Sequence, residues 1–100
     1  MDSRLELHDE LLTFLPNVYF QPPANIKMTY PCIVYNKTTK SRRFASNHIY
    51  FSRQEYDVTV MDKNPDSTVA DNIEEHFQYC IVANHYTVDN LNHAKLNLYY

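Results

Sequence analysis

Not one of the 100 residues is glycine, where an average chain of this length carries about seven. That absence excludes every site built on a glycine-dependent backbone: the phosphate-cradling P-loop, the dinucleotide-binding turn and the nucleophile elbow. The lack of Gly and Trp beside 10 Asn and 9 Tyr also points to an AT-rich gene, of a low-GC bacterium or a virus of one. With 44% hydrophobic and 21% charged residues, the chain has the length and apolar content of one small, soluble, folded domain covering 1–100.

No run approaches the ~18–20 apolar residues of a membrane span, and Met1 to Glu10 is acidic rather than a basic leader. The expectation is a protein that is made and stays inside a cell, with no membrane partner. Cys32 and Cys80 are far apart in apolar segments, one strand-like and one at a helix-like end, and read as reduced core thiols. Charge is segregated. Lys27 to Arg53 holds six bases (Lys27, Lys37, Lys40, Arg42, Arg43, Arg53) and no acid, whereas Gln54 to Asn90 holds eight acids against Lys63 alone. A bipolar chain of this kind is steered toward a complementary partner or another copy of itself, or simply carries two solvated faces of opposite sign.

Leu5, His8, Leu11, Leu12 and Leu15 recur at helical spacing behind Ser3 as N-cap, which predicts a helix over Ser3 to Leu15 that Pro16 stops. Asn17 to Phe20 is short and strand-like, Gln21 to Met28 a loop, and Tyr30 to Lys37 a strand. The polar and basic stretch Thr38 to His48 reads as a hairpin loop or irregular arm. From Ile49 to Asp62, Tyr56, Val58 and Val60 alternate with Asp57, Thr59 and Met61, the pattern of a half-buried antiparallel strand. Val69, Ile73, Phe77 and Cys80 make an apolar stripe that predicts a helix over Asp66 to Ile81, and Ala94 to Tyr100 alternates as a closing strand. The simplest architecture is α+β: an antiparallel sheet of about four strands with two helices packed on one face. Its expected core joins Tyr56, Val58, Val60, Leu96 and Leu98 to Leu5, Leu12, Val69, Ile73 and Phe77.

Chemistry finds little to build on. Asp62, Asn64 and Asp66 match the first ligand positions of a calcium loop, but Ser67 stands where the turn needs Gly and Ile73 where the bidentate Glu belongs. A helix start capped by Asn64 or Asp66 accounts for them better. The five histidines and two cysteines are unclustered, which disfavours zinc. No nucleophile turn accompanies the Ser, His and Asp residues, and adjacent Glu74 and Glu75 diverge by ~100° on a helix. No catalytic, cofactor or metal residue is therefore assigned. Lys37 to Arg43 could touch phosphates, yet it lacks interleaved aromatics and the overall charge is −3, so a subunit contact accounts for it better than a nucleic-acid site.

Five segments, Tyr30 to Tyr35 (YPCIVY), Arg43 to Tyr50 (RFASNHIY), Tyr56 to Ser67 (YDVTVMDKNPDS), Tyr86 to His93 (YTVDNLNH) and Leu98 to Tyr100 (LYY), give the chain a likeness. Over about Leu5 to Tyr100 it resembles the small tail-completion or tail-terminator proteins of long-tailed bacteriophages. The resemblance implies an α+β protomer that assembles as a ring, typically a hexamer. Such a ring caps the head-proximal end of the tail tube, ends its polymerisation and offers a docking face to the head connector. Its partners are then itself, the tail tube protein and the head-completion protein, with DNA at most passing through the lumen. Its place is the virion, after assembly in the host cytoplasm. Candidate interface residues are Lys37, Lys40, Arg42, Arg43, Asn47, Tyr50, Arg53, Tyr99 and Tyr100. A head-closure adaptor of the phage neck is the alternative, and a small nuclease would need a carboxylate and lysine cluster that the sequence lacks.

Overall fold

In the computed structural model residues 3–23, 25–45 and 48–100 are described, with the side chains of residues 3, 39–45 and 48–53 left aside. Helix α1 (Ser3–Leu11) precedes a three-residue strand β1 (Val18–Phe20), then β2 (Cys32–Ala45), β3 (His48–Asp62), helix α2 (Val69–His76), β4 (Cys80–Val88) and β5 (Leu91–Tyr99). The five strands form one mixed sheet in the order β1-β2-β3-β5-β4. β1 runs parallel to β2, and every other pairing is antiparallel.

Alternation along the strands sorts side chains onto two faces, and the pairing register lines them into rows across the sheet. Phe20, Tyr35, Val58, Leu96 and Val82 share one row, and Tyr56, Leu98 and Cys80 the next. Leu7 and Leu11 of α1 and Ala70 and Ile73 of α2 pack into the same buried core as these rows, so both helices lie on this face. Polar ties fasten α1 to it. The Tyr35 hydroxyl lies 2.7 Å from His8 Nδ1 and accepts from Arg4 Nη1 at 3.4 Å, and the Arg4 guanidinium stacks 4.5 Å over Phe20. The opposite face carries Cys32, Met61, His93 and Tyr86 in one row and Asn36, Asp57, Asn97 and Ile81 in another. Tyr86 and His93 stack there at 4.7 Å, beside an open groove lined by Met28, Tyr30, Met61, Val88 and Leu91.

Without glycine, left-handed backbone falls to other residues. Gln21 takes φ 44°, and Asp89 and Asn90 take 52° and 61° as the two central residues between β4 and β5. Two positive φ values in a two-residue hairpin loop are the signature of a type I′ turn. Asp and Asn tolerate it because their short polar side chains offset part of the Cβ crowding.

The α+β class and the two helices agree with the sequence reading, but four antiparallel strands is corrected to five in a mixed sheet. The missed strand is β4. The predicted helix over Asp66 to Ile81 stops at His76, because Phe77 turns extended (φ −91°, ψ 139°) and the β-branched run after Cys80 pairs with β5. Cys80 therefore sits on a strand, half-buried, rather than at a helix end. The basic stretch Thr38 to His48, expected as a hairpin loop or irregular arm, is strand as far as Ala45 and again from His48: β2 and β3 pair from Cys32↔Met61 out to Ala45↔His48. The first helix is shorter than Ser3 to Leu15, with turns over residues 12–14, and its buried face is different. Leu7 and Leu11 are fully buried, whereas Leu5 and Leu12 are 53% and 41% exposed, because Tyr35 and the core rows meet the helix along the Leu7 side. The Ser3 cap lies outside the described side chains.

Candidate subunit interface

Most of the proposed basic residues sit where, among the described residues, β2 and β3 have lost their outer neighbours. β1 accompanies β2 only as far as Tyr35, and β5 accompanies β3 only from Glu55 onward. Past those points β2 and β3 continue as a two-stranded ribbon, with Lys40↔Gln54, Ser41↔Arg53, Arg42↔Ser52 and Arg43↔Phe51 in register. The backbone therefore brings Lys40, Arg42, Arg43 and Arg53 onto one arm. Tyr50 belongs to β3 of the same arm. The side chains of these five lie outside the described set, and Asn47 lies outside it altogether. Lys37 is exposed at the root of the arm, where its N–H donates to Gln21 Oε1 at 3.1 Å.

Tyr99 and Tyr100 reach the same root although they are distant in sequence. Tyr99 pairs with Glu55, and the Tyr100 N–H donates to the Gln54 carbonyl at 3.0 Å. The Tyr100 ring meets Phe77 edge-on at 6.0 Å, and its hydroxyl donates to the Glu10 carboxylate, which also contacts His76 Nε2 at 3.1 Å. Glu10 thus ties the end of the sheet to both helices. That hydrogen bond, then burial and the negative charge of Glu10, push the Tyr100 phenol up to about 12. Tyr100 is engaged within its own protomer; Tyr99, half-buried, lies on the sheet face away from the helices.

The opposite charge gathers around α2. Asp71 and Glu75 are exposed, Glu74 is half-buried, and the helix has no Lys or Arg. Glu74 reaches past the helix to accept the Val82 N–H of β4 at 2.7 Å. This contact was invisible to sequence reasoning, which ended a helix at Ile81 and assigned no strand to Val82 to Val88, although Ile81, Val82, Thr87 and Val88 were the β-branched signal to be found.

The calcium-like run is spent on backbone. Asp62 Oδ1 accepts from Asn64 N–H at 2.9 Å and Asn64 Oδ1 from Asp66 N–H at 3.0 Å, two successive Asx turns leading into α2. Neither Asn64 nor Asp66 caps the helix. Thr68 holds the N-cap position without a side-chain bond, and Ser67 Oγ accepts from Val69 N–H at 3.4 Å. Among the described residues no three His, Cys, Asp or Glu side chains are grouped to hold a metal ion. Both cysteines are free thiols, each pushed up to about 11 by burial, Cys80 also by the charge of Glu74. Among the described residues no helix is long and apolar enough to cross a membrane. No protein-family model matches the chain, and no curated protein matches it in sequence.

Proposed function

We propose that the protein is a structural component of a phage tail. It assembles as a ring, of the hexameric kind, on the head-proximal end of the tail tube, stops tube growth there and presents the face to which the head joins. It acts in the virion after assembly in the host cytoplasm, with the tail tube protein and the head-completion protein as partners, and performs no catalysis. The single observation that carries this reading beyond the resemblance is the basic β2–β3 arm running on past both neighbouring strands. A ring made by head-to-tail contacts needs two different patches on each subunit, and opposite charges on them favour closure over like-with-like pairing. The arm and the acidic α2 side are two such patches.

The test is tail assembly in the phage that carries the gene. Reversing Lys40, Arg42 and Arg43 together to Glu should leave the protein folded but yield tails of uncontrolled length or tails that fail to join heads in electron micrographs. Single reversals should do little, since exposed ion pairs contribute only ~0.2–1 kcal/mol each. Normal, head-joined tails from the triple variant would remove the role of the arm. Normal tails in the absence of the protein would remove the reading itself.

A further inference from the structure

β4 is an edge strand built with few of the usual defences. Edge strands are ordinarily kept from pairing with other chains by being short, charged, interrupted by Pro or covered. The other edge, β1, follows that rule with three residues. β4 has nine, Cys80 to Val88 (CIVANHYTV), with no Pro, Asp, Glu, Lys or Arg. Its defences are a bulge between Val82 and Asn84 and the Glu74 carboxylate held on the Val82 N–H. Beyond the bulge every residue from Asn84 to Val88 is exposed, and among the described residues no strand lies outside β4. Val88 and Leu91 close the two-residue turn as a pair, and alternation from there sends the backbone groups of His85 and Thr87 outward.

The occupant that fits is the arm of a second copy. Among the described residues no strand accompanies β2 past Tyr35, and beyond Lys37, whose N–H meets Gln21, the outer side of β2 is an unpaired edge like that of β4. A two-stranded ribbon alone is marginal in water, and a third strand supplies what it lacks. Charge selects this pairing over the symmetric ones. Residues Lys37 to Gln54 carry five bases and no acid, four of the bases on β2, so two arms repel. Glu74 of α2 sits on the β4 backbone, Asp71 of the same helix lines a pocket with His85, Glu75 adds its charge to that helix and Asp89 follows β4, so two β4 edges bring acid to acid, while an arm beside β4 brings base to acid.

We propose that the open edge of β4, Asn84 to Val88, accepts β2 of another protomer's arm as an added strand, main chain to main chain, continuing the sheet from one subunit into the next. This rests on the ring reading and says how the ring is joined.

Site-directed cross-linking tests it on the full chain. One copy carries Ser41→Cys on β2, a second carries Thr87→Cys on β4, and the two are mixed and oxidised. The mixed 41–87 dimer should exceed the 41–41 and 87–87 products by about tenfold, an excess equivalent to ~1.4 kcal/mol of preference. His85→Pro in the second copy removes an outward N–H without touching the β5 ladder and should abolish the excess. Reversing Lys40, Arg42 and Arg43 to Glu in the first copy should abolish it too, and Asp71→Lys with Glu75→Lys in the second should restore it. A 41–87 yield no greater than the same-site yields overturns the inference. If rings then still form on tail ends, the ring reading stands without it; if the 41–87 product forms while tails carry no ring, strand addition stands and the ring reading falls.

Discussion

Leu11 and Leu12 are neighbours in sequence with opposite fates, one fully buried and the other 41% exposed. Truncating Leu11 to Ala removes contacts among Tyr35 and the core rows and should cost ~2–5 kcal/mol, whereas Leu12→Ala should stay within ~0.5 kcal/mol. Denaturant midpoints of the two variants check this, and equal losses would contradict the packing of α1. Tyr100 gives a second test, in pH. Its phenol is raised from an ordinary 10 to about 12, first by the hydrogen bond to Glu10. A folded value above the unfolded one means that the tie contributes in full below about pH 10 and is lost as pH rises through about 12. The tyrosinate absorbance difference between the protein and its Tyr100→Phe variant should therefore titrate near 12, and Glu10→Gln should bring it back toward 10. A Tyr100 that ionises near its ordinary 10 would show that the bond to Glu10 does not form.

The β4–β5 hairpin turns on Asp89 and Asn90, both at positive φ in a chain with no glycine to spare. Placing a β-branched residue there costs roughly 1–2 kcal/mol of backbone strain, so Asn90→Val should lower the thermal midpoint while Asn90→Gly should hold or raise it. An unchanged midpoint for Asn90→Val would rule out the type I′ turn. β3 was legible in the sequence because one face is buried and the other wet, so Tyr56, Val58 and Val60 alternate cleanly with polar neighbours. β4 was not, because the stripe Val69, Ile73, Phe77 and Cys80 keeps helical spacing by coincidence across the point where Phe77 leaves the helix. An edge strand exposed along most of its length also lacks the alternation that marks a strand. The outer half of β2 was hidden for a related reason. KTTKSRR lacks the apolar alternation that marks a strand, so it looks like loop while its backbone is paired. The acidic side of the candidate interface could not be placed until β4 was known, though its charge was plain in the composition of 54–90.

At the scale of the molecule the arm and the two-layer body are separable. The core rows drawn through the described residues end at Tyr56, Leu98 and Cys80, and the ribbon of residues 40–54 runs on past the pairing of both β1 and β5. Replacing residues 39–53 with a tight turn should therefore leave the thermal midpoint within a few degrees while removing self-association, as read by circular dichroism and sedimentation. A collapse of the midpoint would mean that the ribbon helps to hold the body together. The strand order carries a consequence of another kind. β5 is made after β3 and β4, yet it lies between them, so those two have nothing to join them until it has left the ribosome. Until Leu91 to Tyr99 has been released, the nascent chain holds a basic ribbon and an uncovered apolar face, and the open edge of β4 does not yet exist as part of a sheet. The order of synthesis thus withholds the edge of β4 until β5 is in place, and a chain stalled before Leu91 has no such edge to offer the strand addition proposed above.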